Sequence, residues 1–319
     1  MKKTIKILSI VLVLALFALM ALGSGSSSSQ KEVKEPSSVS SGGTEATKTD
    51  NLASDKNATT TKEPVATKEP AITIEEAVLY DQNDMKITAK GFDSKSAFGP
   101  SVKLLIENNG TKSMTVQTRN ASVNGYMIDT IFSCDVAAGK KANDELFFMN
   151  SDLALAGITT IAEMEFSFHF FESDSWSNDF DSDPVTIKTS AAEGYTFTFD
   201  DTGHKVYDEN GIELVVKGLA KDDSWLGPQV VVFISNTSGK DFTVQARDVS
   251  INGFMVESLF STDVTIGKHA VDTIIFLSSD LEKNGIETID EIELSFHVFD
   301  MDYWNTMVDT APVTINFDK

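Results

Sequence analysis

Glu163-Met164-Glu165-Phe166-Ser167-Phe168-His169-Phe170 and, 128 residues later, Glu291-Ile292-Glu293-Leu294-Ser295-Phe296-His297-Val298 are one strand written twice. Every even position is apolar and every odd one polar. A period of two is the signature of a half-buried antiparallel strand, because successive side chains point to opposite faces. The same alternation holds at Val102, Leu104 and Ile106 and at Val230, Val232 and Ile234. These runs predict an all-β chain.

Outward from that strand the match continues. Residues 99–187 align with 227–315 without a gap and share 43 of 89 positions. Two repeats this long are too few for a solenoid and read as tandem domains. Asn109-Gly110, Ser238-Gly239, Asn124-Gly125 and Asn252-Gly253 lie between apolar runs, which predicts type I′ hairpins. The apolar phase flips at Arg119-Asn120 and at Arg247-Asp248, as one extra residue in a strand would cause. Short helical turns are expected at Ser151 to Gly157 and Ser279 to Gly285, each opened by a capping residue and closed by Gly. Seven or eight such strands per unit make two tandem immunoglobulin-like antiparallel β-sandwiches. The expected organisation is residues 1–23 signal peptide, 24–71 disordered linker, 72–190 repeat 1 and 194–319 repeat 2.

Lys2, Lys3 and Lys6 precede an apolar run from Ile7 to Leu22, the pattern of an export signal cut after Gly23. An uncleaved membrane anchor is the rival reading. Ser24 stands where a lipobox would need cysteine. Ser24 to Pro70 holds ten Ser and seven Thr and no aromatic residue, too little apolar surface to offset ordering entropy. Residues 1–71 carry nine Lys and seven acids, so the net charge of −22 divides into +2 there and −24 in the body. That body repels phosphate backbones and anionic membranes, so nucleic acid is excluded as a partner and membrane contact is left to the N-terminal segment. The single cysteine, Cys134, excludes a disulfide framework.

The pattern of hairpins, the Gly139-Lys140-Lys141-Ala142 turn leading into Leu146-Phe147-Phe148, and Phe166-Ser167-Phe168 carry a resemblance. The chain resembles the immunoglobulin-like extracellular domains of secreted and lipid-anchored proteins of Gram-positive bacteria, the group of the mycobacterial immunoprotective extracellular antigen. The resemblance implies a sandwich at the cell envelope and carries over no binding residue.

Candidate binding residues come in pairs. His169 and His297 face outward with Glu165 and Glu293 on the same face, neighbours that would favour a protonated imidazole and a pH-dependent contact. Arg119 and Arg247, the only arginines, sit at the bulges, where a bidentate pair with a carboxylate or capture of a ligand carboxylate is expected. Trp176 and Trp304 follow loops containing Asp174 and Asp302; they can stack a sugar ring while the acids bond its hydroxyls, or cover one end of the sandwich. Asp174, Asp179, Asp181 and Asp183 do not match a calcium loop, and the second copy has Met307 and Ala311 at two of those positions. No metal or other cofactor is expected, and no catalytic motif is present.

Leu105, Phe147, Met149, Val231, Phe233, Ile275 and Leu277 fall on nominally solvent faces, which calls for a cover: residues 72–80 and 195–207, domain packing or a protein partner. The first reading is a secreted or surface-associated, non-catalytic binding, adhesion or structural module, its partner an extracellular protein or glycan. A carbohydrate-binding module is the alternative; an envelope enzyme or inhibitor is more distant.

Overall fold

The even positions of Glu163–Glu172 and Glu291–Asp300 are buried against a second sheet, so each repeat closes into two layers. The structure, a computed structural model, describes residues 71–317 apart from 222–223. The expected signal peptide at 1–23 and the expected linker as far as residue 70 lie outside the described residues.

In repeat 1 one layer runs, in spatial order, Ala77–Gln82, Met85–Asp93, Ser101–Asn108, Lys141–Phe148 and Thr130–Ile131. The other centres on Glu163–Glu172 paired with Met114–Val123. Phe180–Asp181 and Val185–Lys188 lie on one side, Tyr126–Met127 and Ser133–Val136 on the other. Ser101–Asn108 thus pairs with Lys141–Phe148, and Met114–Val123 with Glu163–Glu172, the B–E and C–F pairing of an immunoglobulin-like sandwich. Repeat 2 uses the same order, with His204–Glu209, Ile212–Leu219, Gln229–Asn236, His269–Phe276 and Ser258–Leu259 in its first layer. Glu291–Asp300 and Phe242–Ile251 centre its second. Phe166, Phe168 and Phe170 fill one core, and Ile292, Leu294 and Phe296 the other.

The bulges fall where the phase flips. Arg119 pairs with Ser167 and Ser122 with Glu165, so three steps on one strand meet two on the other. The extra residue takes a left-handed turn at Asn120 (φ 53°), as does Asp248 (φ 52°) in repeat 2.

Three local expectations need correction. Asn124-Gly125 and Asn252-Gly253 have the two positive φ values of a type I′ turn, but Asn109-Gly110 and Ser238-Gly239 do not. Those loops are longer and are organised by a buried asparagine. Asn236 donates from Nδ2 to the carbonyls of Lys240 (2.9 Å) and Val264 (2.8 Å) and accepts from Ser238 N–H (3.0 Å); Asn108 does the same in repeat 1. Second, the helical turns Asn150–Leu155 and Ser278–Asn284 have Met149 and Leu277 at their N-caps, with no side-chain cap. Asp152 and Asp280 instead turn outward and accept from the N–H groups of Asp129 and Glu257, both at 2.9 Å. Third, Asn124 and Asn252 do more than turn. Asn252 donates to Thr288 O and accepts from Asp290 and Glu291 N–H, tying the hairpin to the start of the long strand.

Gly99 and Gly227, each before a proline, have φ 127° and 150°. A Cβ there would meet the carbonyl oxygen of Phe148 at 2.2 Å and of Phe276 at 2.0 Å, so only glycine fits.

The repeats are joined by a seam. Tyr126 pairs in parallel with His269, and His269 N–H donates to Gly125 O at 2.9 Å, so the second layer of repeat 1 continues into the first layer of repeat 2. Tyr195, Phe197 and Phe199 alternate in period two along the connecting segment. Phe197 and Phe199 pack on Tyr126, and Phe199 also on His269. Phe233 and Val215, outward on repeat 2 by parity, are buried there as part of the first core. The cover is therefore both the connecting segment and the neighbouring repeat. Lys268 pairs with Glu165 across the seam at 2.8 Å.

Two outcomes test this account. Asn236→Ala leaves two carbonyls and an N–H without partners and should lower unfolding free energy by about 2–3 kcal/mol in denaturant titration. Tyr126→Ala should cost about 3–5 kcal/mol and split one calorimetric transition into two, because it empties the seam while leaving each sandwich closed.

Candidate functional site

The odd positions of the long strands face away from the core, and there the paired candidates meet. His169 stands beside Gln117 and Phe171 beside Thr115 on Met114–Val123; Gln117 and Thr115 stand beside Ser133 and Asp135 on the next strand. On the other side His169 faces Asp181. Repeat 2 rebuilds the row with His297, Gln245, Phe299, Thr243, Ser261, Asp263 and Asp309.

Hydrogen bonds lock the row. His169 Nδ1 and Asp181 Oδ1 lie 2.6 Å apart, and His297 Nδ1 and Asp309 Oδ1 2.5 Å. Gln117 Nε2 donates to Ser133 Oγ at 3.3 Å, and Thr115 Oγ1 to Asp135 Oδ1 at 2.6 Å. Thr243 Oγ1 donates to Asp263 Oδ1 at 2.5 Å. The histidines' carboxylate partners are therefore Asp181 and Asp309. Glu165 is committed to Lys268, and Glu293 bonds Thr314, so the expected Glu–His neighbours do not form. Arg119 reaches Asp181 Oδ2 through one nitrogen at 3.4 Å, and Arg247 reaches Gln245 Oε1 at 3.5 Å. Neither makes the expected bidentate pair: Arg119 reaches across the long strand through a single nitrogen, and Arg247 meets an amide of its own strand.

Above the row lies an aromatic platform. Trp176 stacks flat on Phe171, with centroids 5.0 Å apart and planes 16° apart; Trp304 stacks on Phe299 at 5.2 Å and 15°. Phe171 and Phe299 are each 5 % exposed, Trp176 and Trp304 69 % and 56 %. Each indole thus covers a phenylalanine with one face and offers the other to solvent. Both tryptophans hold left-handed backbone, φ 53° and 60°, a strained state for a bulky residue that surrounding bonds must enforce.

Those bonds come from the residue four before each. Trp176 N–H donates to Glu172 O at 2.9 Å and Trp304 N–H to Asp300 O at 3.1 Å. Glu172 accepts from Lys112, Asn178 and Ser175, and its contact with Lys112 holds its carboxyl below the usual range. Asp300 accepts from Tyr303 N–H at 2.6 Å and Asn305 at 3.1 Å; the Tyr303 N–H leads in holding its carboxyl low. Asp174 instead borders a hollow with Lys112, Ser113 and Glu172, and Asp302 lies in the exposed turn before Tyr303. Among the described residues no three His, Cys, Asp or Glu are placed to hold a metal ion.

Sequence reasoning missed Phe171, Gln117, Thr115, Asp135 and their counterparts. Outward parity together with identity in both repeats would have marked them. Cys134 is buried and paired with Asp144. Burial, then Asp144, pushes its thiol up to about 12; Thr262 donates to Asp272 in the equivalent place.

A second concave feature opens beside the seam. Three residues beyond the Tyr126–His269 pair stand Asp129 and Asp272, and the chains part there around a cleft of about 360 Å³ that Asp152 and Asp263 also line. The enclosing walls, then Asp152, Asp272 and Asp263, push Asp129 up to about 6. Burial also raises Asp272 and Asp263. His269, in the seam, has its Nδ1 buried without a hydrogen-bond partner among the described residues. Burial lowers its pKa, with Glu213 opposing.

No protein-family model and no curated protein matches the chain. Solved structures that resemble it include the YadV chaperone (9 % identity, TM-score 0.22, covering 73 % of this chain and 100 % of that one). The Salmonella enterica SafA pilin–SafB chaperone complex matches at 10 % identity and TM-score 0.20, over 68 % of this chain and 89 % of that one. A Porphyromonas gingivalis protein of unknown function matches at 11 % and 0.20, over 68 % and 91 %. Likeness this distant bears on no functional argument.

The cleft predicts a pH dependence. A carboxyl whose folded value is raised binds its proton more readily folded than unfolded, so the fold loses stability as pH rises through about 6. His269, lowered, acts oppositely and disfavours the fold as pH falls below the ordinary imidazole range. Carboxyl NMR should place the Asp129 midpoint near 6, and Asp272→Asn should bring it toward the ordinary value of about 3.9. Asp129→Asn should flatten the fall in thermal midpoint as pH rises from about 4 to about 6, the interval between the unfolded and folded values of this carboxyl.

Proposed function

We propose that this chain is an exported, non-catalytic binding module of a bacterial envelope, and that it binds through the same outer face of each repeat. The reading takes residues 1–23 as the export signal, 24–71 as the linker, and 72–190 and 194–319 as two repeats of the Gram-positive extracellular kind. One observation carries it: the outward row Thr-Gln-Arg, His-Phe-Trp and Asp is the same in both repeats at 115, 117, 119, 169, 171, 176 and 181 and at 243, 245, 247, 297, 299, 304 and 309. Some core positions vary between repeats, as at Phe166 and Leu294 or Met164 and Ile292, because any well-sized apolar group fills a core, while others such as Phe168 and Phe296 keep the same residue. The outer row keeps both its residue types and its bonds, His169 to Asp181 and Gln117 to Ser133 in one repeat, His297 to Asp309 and Gln245 to Ser261 in the other.

The test is capture of envelope material, protein or glycan, by the immobilised full chain. Capture by the natural protein that falls about tenfold with Gln117→Ala plus Gln245→Ala supports the reading. Capture of nothing, or capture unaffected by the pair, overturns it.

A further inference from the structure

We propose that the ligand of these faces is a polysaccharide, neutral or amino-sugar in character, and that Trp176 and Trp304 each seat one of its rings. This rests on the binding reading and names its substrate class.

Three features define the ligand. An indole lying flat, with one face sealed on Phe171 or Phe299 and the other open, suits a flat C–H surface such as that of a pyranose ring. A band of planar hydrogen-bonding groups runs alongside: the Gln117 amide, the Asp181 carboxylate with His169, and the Arg119 guanidinium, each repeated in the second sandwich. Groups of mixed donor and acceptor character match hydroxyls, which both give and accept. The body's charge of −24 opposes an anionic chain, attracts a cationic one and does not hinder a neutral one.

The strained backbone supports the same assignment. Burying Phe171 requires only that something apolar lie on it; a left-handed tryptophan is a costly way to do that. Keeping the same left-handed tryptophan in both repeats, where Ser173 and Asp179 have become Met301 and Met307, ties the geometry to the exposed indole face. Two equivalent seats held in one unit by the seam would engage one polymer at two places, so each site alone needs only weak affinity.

The experiment is affinity electrophoresis of the full chain through gels containing, separately, hydroxyethyl cellulose, soluble starch, glycol chitosan and, as the anionic control, alginate. Trp225, also exposed, is changed to Phe so that quenching of tryptophan fluorescence by the polymer reports on the two seats. Retardation by at least one of the first three and not by alginate is expected. Retardation should weaken about tenfold in Trp176→Ala or Trp304→Ala and vanish in the double variant, with Trp176→Phe partly restoring it. Retardation unchanged by the double variant overturns the proposal, as does no retardation by any of the three, or retardation by alginate alone. A thermal midpoint measured on each variant separates a lost seat from a lost cap: a drop in midpoint with binding intact also overturns it. Face-dependent capture of a protein with no polysaccharide retardation defeats the glycan assignment and leaves the binding reading standing. No capture of any kind defeats both.

Discussion

The burial of Tyr126 holds the architecture together. Its ring sits among Phe197, Phe199, Phe233 and His269, and its hydroxyl meets the Asp200 backbone, so side chains from both repeats and their connection share one apolar cluster. Without it, Phe233 and Val215 would lie bare on a sheet face, an arrangement a soluble protein seldom tolerates. The duplication makes the dependence visible. The equivalents of Tyr126 and Met127 in repeat 2 are Phe254 and Met255, both exposed, whereas the equivalent of His269 in repeat 1 is Lys141. Of the docking residues, Tyr126 and His269 differ from their counterparts, while Gly125, Met127, Glu165 and Lys268 do not.

The seam balances two opposed forces. Aromatic packing closes it at Tyr126 and His269, and like charge opens it three residues later at Asp129 and Asp272. Carboxylates near each other between low-dielectric walls repel more strongly than they would in bulk water, and Asp129 and Asp272 stand where the one-pair parallel bridge gives way to the cleft. Protonation of Asp129 relieves one end of the seam, while protonation of His269 burdens the other.

Much of this was legible in the chain. Alternation at Met164 to Phe170 and Ile292 to Val298 revealed the layers, because one buried face imposes a period of two. The phase flip at Arg119 and Arg247 revealed the bulges, because one inserted residue reverses every later side chain. What was hidden was non-local. Nothing adjacent to Trp176 says that a loop of five residues returns its ring onto Phe171, or that Asp181 arrives beside His169. Asn236 carries no sign of its role in the local sequence, because its three partners, at 238, 240 and 264, converge only after the sheets close. Short-range patterns report a side chain's facing; its partners depend on the closed topology.

Duplication also separates what folding requires from what it does not. A core position accepts Phe166 in one copy and Leu294 in the other, since burial rewards volume and apolarity more than identity. A buried polar anchor such as Asn108 and Asn236 recurs because its bonds have one solution. The outer row belongs to neither class: Gln117 and Gln245 fill no core and anchor no loop, yet they recur beside the same histidine, carboxylate and stacked indole. The row's recurrence in both repeats, bonds included, is the feature on which the binding proposal rests.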